Sequence, residues 1–166
     1  MNNTNQLSPE TPEQLIVLTD LLTLLVPSAS TQGKYAIWED RVTPLAGPPP
    51  HAHPDEEVFY VIDGQFEFIL HDPAHPIAAR AGALIRIPSQ ALHTYKNVGT
   101  TPGKLLTLAM PGKLEGYFRA VGKPVQSDQD IPDLTKVPDF ATLDITNFIG
   151  LAPQHEVTFY LPQMAS

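Results

Sequence analysis

Four side chains in this sequence are of types that ligate transition metals, and their spacing lets them converge: His51, His53, Glu57 and His93. Successive residues of a strand alternate between its faces, so His51 and His53 point the same way. Glu57 shares their parity, although Pro54-Asp55 bends the chain between them. Phe59 and Val61, in phase with Glu57, are apolar and mark that face as an interior one. A charged carboxylate buried there without a partner costs on the order of several kcal/mol. A divalent cation removes that penalty by taking the lone pairs as ligands. Imidazole nitrogen with carboxylate oxygen suits Fe, Mn, Ni, Co, Cu or Zn. A fourth ligand is expected from another strand, and His93 is the best candidate. It follows Pro88, where the chain re-enters an extended segment.

Each of these residues also has a bland reading. H-x-H alone is more often a pair of surface histidines in a Pro-rich loop, and a lone His93 more often a structural histidine. Glu56 competes with Glu57, but parity assigns Glu57 to the interior and Glu56 to solvent. His71 and His75, beside Asp72-Pro73 and Pro76, read as solvated turn residues, and His155 has no matching register.

The elements that must position the four residues are short strands. Residues 15–26 fit a helix through Leu15, Leu18, Leu22 and Leu25, or two strands; their β-branched residues and short breaks favour strands. Residues 35–40 (YAIWED) form the next candidate. Residues 58–62 (VFYVI) and 66–70 (FEFIL) flank Asp63-Gly64, which predicts a hairpin. Residues 83–87 and 105–110 add further runs. Eighteen prolines exclude long helices from most of the chain. Short strands punctuated by Gly, Pro and Asp predict an all-β sandwich or barrel. Beyond residue 112 the pattern changes. Leu114, Tyr117, Phe118 and Val121 share one helical face, residues 139–149 suggest a second short helix, and residues 157–161 an isolated strand or docking tail. The expected organisation is a flexible arm (1–13), a β-barrel (14–112) and a helical extension packed on it (113–166).

Bulk properties narrow the function. Apolar content of 42% and charged content of 17% describe an ordinary globular chain. A net charge of −8 with no Lys/Arg cluster argues against nucleic acid and anionic membranes as partners. Without cysteine, neither a disulfide frame nor a thiolate metal site can form. The first ten residues lack the basic flank of a secretory signal, and the apolar stretch at 15–26 is too short to span a bilayer. A cytoplasmic protein is the default expectation.

The residues from Gly47 to Gly64 (GPPPHAHPDEEVFYVIDG) resemble the first motif of the cupin superfamily, H-x-H, a short gap, E, then G. Those from Gly82 to Asn97 (GALIRIPSQALHTYKN) resemble the second, with Pro88, His93 and Asn97 in register. Two departures fall in loops: Gln90 stands where the family usually has Gly, and three residues rather than five separate Gly47 from His51. The resemblance implies a jelly-roll barrel, often dimeric, with a metal near its centre held by His51, His53, Glu57 and His93. The tail, with Tyr117-Phe118-Arg119 and residues 155–162, is similar to single-domain quercetin-dioxygenase-like cupins. That likeness implies a dioxygenase cleaving a flavonoid-like or other enol- or dicarbonyl-bearing small molecule, with Glu57 as general base. A non-redox isomerase, lyase or decarboxylase, and a non-catalytic ligand-binding cupin, are the alternatives. Phe59, Phe68, Tyr95 and Trp38 are expected to line the barrel and are candidates for a substrate pocket. A homodimer, paired through an N-terminal edge strand, is the expected assembly.

Overall fold

The computed structural model describes residues 10–161. Two antiparallel sheets face one another. The larger runs, in spatial order, through β11 (Lys123–Pro124), β1 (Glu13–Val17), β2 (Asp20–Val26), β3 (Ala36–Val42), β10 (Gly103–Met110), β5 (Glu56–Asp63) and β8 (Leu84–Ile87). The smaller runs through β12 (Thr158–Phe159), β4 (His51–Ala52), β9 (His93–Asn97), β6 (Gln65–Leu70) and β7 (Ile77–Arg80). The all-β architecture is the one expected. Most of the expected N-terminal arm lies outside the described residues, and β1 already begins at Glu13.

Alternation of side chains decides what faces the interior. Residues 15–26 resolve as strands: Leu15 and Val17 of β1, and Leu22 and Leu24 of β2, are buried at alternate positions. A turn with Leu18 at φ 54° separates the two strands. On β3 the buried set is Ala36, Trp38, Asp40 and Val42; on β10 it includes Leu105, Thr107 and Ala109; on β5 it is Glu57, Phe59 and Val61. A mostly apolar wall therefore carries three polar groups that burial penalises unless something compensates.

The hairpin predicted around Asp63-Gly64 does not form, although both of its strands do. β5 pairs with β10 and β8, whereas β6 pairs with β7 and β9. Gly64, at φ 94°, supplies the turn, but the turn carries the chain from one sheet to the other. The reason is burial. Phe59 of β5 and Phe68 of β6 meet with ring centroids 5.3 Å apart, facing each other across the interior. Side-by-side pairing would have left one of these apolar faces without an opposing wall.

The C-terminal third supplies helices and also one short strand to each sheet. α1 (Leu114–Val121) forms where the sequence places it. Leu114, Tyr117, Phe118 and Val121 pack into one cluster with Leu15, Leu22, Leu24 and Trp38. Phe118 meets Trp38 edge-on at 5.2 Å. The start of α1 is capped from outside the helix: Asp55 Oδ2 accepts hydrogen bonds from the backbone N–H groups of Gly112 (2.9 Å) and Leu114 (3.1 Å). The segment expected as one helix over 139–149 is instead a 3-10 turn (Phe140–Thr142) and then α2 (Thr146–Leu151), whose Phe148 joins the same cluster. No helix among the described residues is long and apolar enough to cross a membrane.

Candidate metal centre

β4 and β9 bring two of the histidines together, because their one paired position sets His51 opposite His93. His53 follows β4, and Glu57 lies on β5 in the other sheet. All four side chains are buried, Glu57 to 3% exposure. The donor atoms of His51, His53 and His93 lie within 4.8 Å of one another. Glu57 Oε2 stands 3.0 Å from His53 Nε2 and 3.1 Å from His93 Nε2. Glu56 points away, as parity requires, and is held by Arg86 at 2.6 Å. His71 and His75 are exposed, and His75 pairs with Asp72.

Hydrogen bonds at the far side of two rings set which nitrogen is free. His51 Nδ1 donates to Pro49 O at 2.8 Å, and His93 Nδ1 donates to Ala91 O at 2.9 Å. A carbonyl only accepts, so each Nδ1 carries the hydrogen and each neutral ring keeps its lone pair on Nε2. Burial, reinforced by the neighbouring His93 and His53, pushes the pKa of His51 down to about 3, so its ring is neutral. Burial works against the charge on Glu57, yet the neighbouring His53 and His93 hold the carboxyl well below its usual range. Burial likewise opposes protonation of His53, and Glu57 outweighs it, raising that imidazole's pKa.

The donor set fits a metal ion. A lone pair on His93 Nε2 facing a carboxylate oxygen is repulsive unless a proton or a cation lies between them. Adjacent ligands about 2.1 Å from an octahedral ion stand about 3.0 Å from each other. The separations from Glu57 Oε2 to His53 and His93 match that spacing. The Nδ1–carbonyl contacts at His51 and His93 are the outer hydrogen bonds that ligating histidines use to fix ring orientation.

A cavity of about 60 Å³ adjoins this cluster. His51 and Glu57 form part of its wall, with Trp38, Phe59 and Tyr95 from the barrel and Tyr117, Phe118 and Phe159 from the C-terminal third. Three of the four residues proposed for a pocket, Trp38, Phe59 and Tyr95, therefore line it. Phe68 does not; it is fully buried behind Phe59 and Tyr95. Strand β12 pairs with β4, setting Phe159 opposite His51 with the rings 5.7 Å apart. Sequence reasoning missed Asp20 and Asp40, which also line the cavity, and Asp55, which anchors α1. Asp40 had a signal, since it is in phase with Trp38 and Val42 on β3. Asp20 and Asp55 had none.

The loop residues of the two motifs have structural reasons. A Cβ on Gly47 would lie 1.9 Å from Tyr95 O, so no other residue fits there. Asn97 is fully buried and ties loops together, donating from Nδ2 to Val42 O and Thr101 O while Oδ1 accepts from Gly99 N. Gln90 adopts φ 62°, the left-handed region that favours glycine. Its N–H donates to His53 O at 2.8 Å, so the turn forms at some cost in strain.

Residues 38–109 match the family model of the cupin domain. The match covers 72 of the 166 residues. Solved cupin structures share the chain's jelly-roll fold. An RmlC-like cupin from Shewanella frigidimarina superposes with a TM-score of 0.54 at 18% identity, covering 64% of this chain and 89% of that one. A predicted oxalate decarboxylase from Thermotoga maritima gives 0.54 at 17% identity, covering 61% and 93%. The polyketide cyclase RemF from Streptomyces resistomycificus gives 0.51 at 21% identity, covering 62% and 70%. At these identities the likeness shows the fold alone, and the described functions differ from one neighbour to the next. A comparison with curated proteins finds no significant match. The jelly-roll fold thus places a cluster of three histidines able to bind a metal inside its barrel, beside a largely apolar cavity.

Proposed function

We propose that the protein is a metal-dependent cupin enzyme in which His51, His53, His93 and Glu57 hold one divalent transition-metal ion. We propose further that it is a dioxygenase acting on an enol- or dicarbonyl-bearing small molecule of flavonoid-like chemistry. The supporting observation is the donor set: three buried imidazoles with donor atoms within 4.8 Å, of which His51, with Glu57, forms part of the wall of a cavity. Bound there, a transition metal supplies a Lewis acid and a coordination position for a chelating pair of oxygens. The chain supplies the rest. Pro49 O and Ala91 O orient His51 and His93, so the ligand geometry is fixed before any substrate arrives. Glu57, acting as general base, takes the proton of an enol hydroxyl onto its carboxylate. Trp38, Phe59 and Phe118 exclude water from the reacting end.

The small size of the cavity favours a second reading, a non-redox isomerase, lyase or decarboxylase of a small acid using the same residues. Oxygen uptake separates the two. Protein loaded in turn with Fe, Mn, Co and Ni is expected to consume O₂ with members of a polyphenol and enediol panel. Turnover that persists without O₂, and with Zn, supports the second reading. Tight ligand binding without turnover by any metal form overturns both and leaves a binding protein.

A further inference from the structure

Asp40 is a buried carboxyl that the metal centre does not use. It is 3% exposed, lies on β3, and lines the same cavity as His51 and Glu57. Strand register sets it apart from the histidines. Ala109 of β10 pairs with both Ala36 and Glu57, so Asp40 lies two strands across from Glu57 and four residues further along β3. Between the two carboxyls the wall is aromatic, with Trp38 and Phe59. Thr107 Oγ1 donates to Asp40 Oδ2 at 2.8 Å. No Lys or Arg lines the cavity among the described residues, so no side chain there pairs with Asp40 as a permanent cation.

Folding alone does not account for this carboxyl. Thr107 could satisfy its hydroxyl on a strand carbonyl, and an apolar side chain at position 40 would avoid the desolvation cost. Asp20 makes a useful contrast. Its Oδ1 accepts from Thr43 N at 3.1 Å and from Thr19 Oγ1 at 3.1 Å, so it braces the turn after β3. Asp40 has no such backbone role.

We infer that Asp40 is a second anchor for the ligand of the metal site: a carboxylic acid that donates a hydrogen bond to a carbonyl or hydroxyl oxygen at the end of the ligand remote from the metal. Burial, with the negative charges of Asp20 and Glu57 nearby, raises its pKa well above the ordinary range against the opposing hydrogen bonds of Thr107 and Trp38. That shift favours the protonated form, which has an O–H to donate. The ligand class follows from the three parts of the cavity. It is a small planar molecule, aromatic or conjugated, with a chelating oxygen pair at one end and an oxygen acceptor at the other. This rests on the metal-binding reading above.

The test uses the full chain loaded with Co²⁺, whose visible spectrum reports inner-sphere ligands, and two catechol probes. One is 3,4-dihydroxybenzaldehyde, which has a remote carbonyl; the other is 4-methylcatechol, which lacks it. The ratio of their affinities is expected to fall about fivefold from wild type to Asp40→Leu, the worth of one hydrogen bond. Asp40→Asn, still a donor, retains the wild-type ratio. Co²⁺ stoichiometry and 4-methylcatechol affinity stay unchanged in both variants. The infrared carbonyl stretch of the bound aldehyde is lowered in wild type and in Asp40→Asn. That band decides the matter if Asp40→Leu does not fold. An unchanged ratio in Asp40→Leu, or an unshifted band in wild type, overturns the role of Asp40 while leaving the metal site standing. Failure of the wild type to take up Co²⁺ overturns the metal reading and this inference together.

Discussion

The cavity has two polar ends that solve the same problem in opposite ways. At one end Glu57 is buried among imidazoles and stays ionised, because His53 and His93 offset the desolvation. Elsewhere on the wall Asp20 and Asp40 are equally buried but face no cation, and both are pushed toward the neutral acid, Asp20 up to about 7. The same side-chain chemistry thus gives an acceptor-only anion in one place and a potential donor in the other. Partners, and not depth of burial, decide which.

The largest expected effect tests the ionised end. His93→Ala removes a donor and leaves Glu57 with a single imidazole partner. Metal content by elemental analysis should fall from about one equivalent to the level of a blank, a loss of more than about 100-fold in affinity. An unaltered metal content would show that the cluster is not the binding site.

The neutral end can be tested through pH. In the folded protein Asp20 keeps its proton up to about pH 7, whereas an unfolded chain loses it near its ordinary pKa of 3.8. Between those values the folded state binds more protons than the unfolded state. This residue's contribution to stability therefore declines as pH rises from about 4 to about 7, by at most about 4 kcal/mol. Asp20→Asn removes the titration. The stability difference between variant and wild type, measured by urea unfolding, should shift in the variant's favour between pH 5 and pH 8. Parallel curves across that range would show that Asp20 is ionised in the fold.

Asp55 joins the metal-ligand loop to α1 and so links the imidazole end to the C-terminal cover. Asp55→Ala leaves the buried N–H groups of Gly112 and Leu114 without their acceptor, at a cost of about 2–3 kcal/mol. Faster proteolysis within residues 113–161 than within the barrel would show that the cover loosens first. Uniform cleavage would show that barrel and cover unfold together. The smallest effect belongs to the turn behind His53. Gln90→Gly relieves the left-handed backbone at φ 62° and should stabilise the protein by about 0.5–1 kcal/mol without changing metal content.

Much of the centre was legible because strand parity is a local property. His51, His53 and Glu57 share a face by counting residues, and the apolar Phe59 and Val61 mark that face as interior. The helix at Leu114–Val121 was legible for the same kind of reason, since its period lies wholly within one segment. Local signals could not reveal pairing. Asp63-Gly64 announces a turn equally well whether the next strand lies beside the last or crosses to the opposite sheet, and only the burial of Phe59 against Phe68 selects the crossing.

By itself the sequence determined the short strands, the inward phase of the ligand residues, the apolar helix face and the turn positions, because each follows from periodicity or from one residue's backbone preference. The tertiary structure alone decided that His51 lies opposite His93, that β12 returns to flank them, and that Asp40 shares a cavity with Glu57. Those relations depend on which surfaces are left to bury once the two sheets close. That is a property of the whole chain, and no local window contains it.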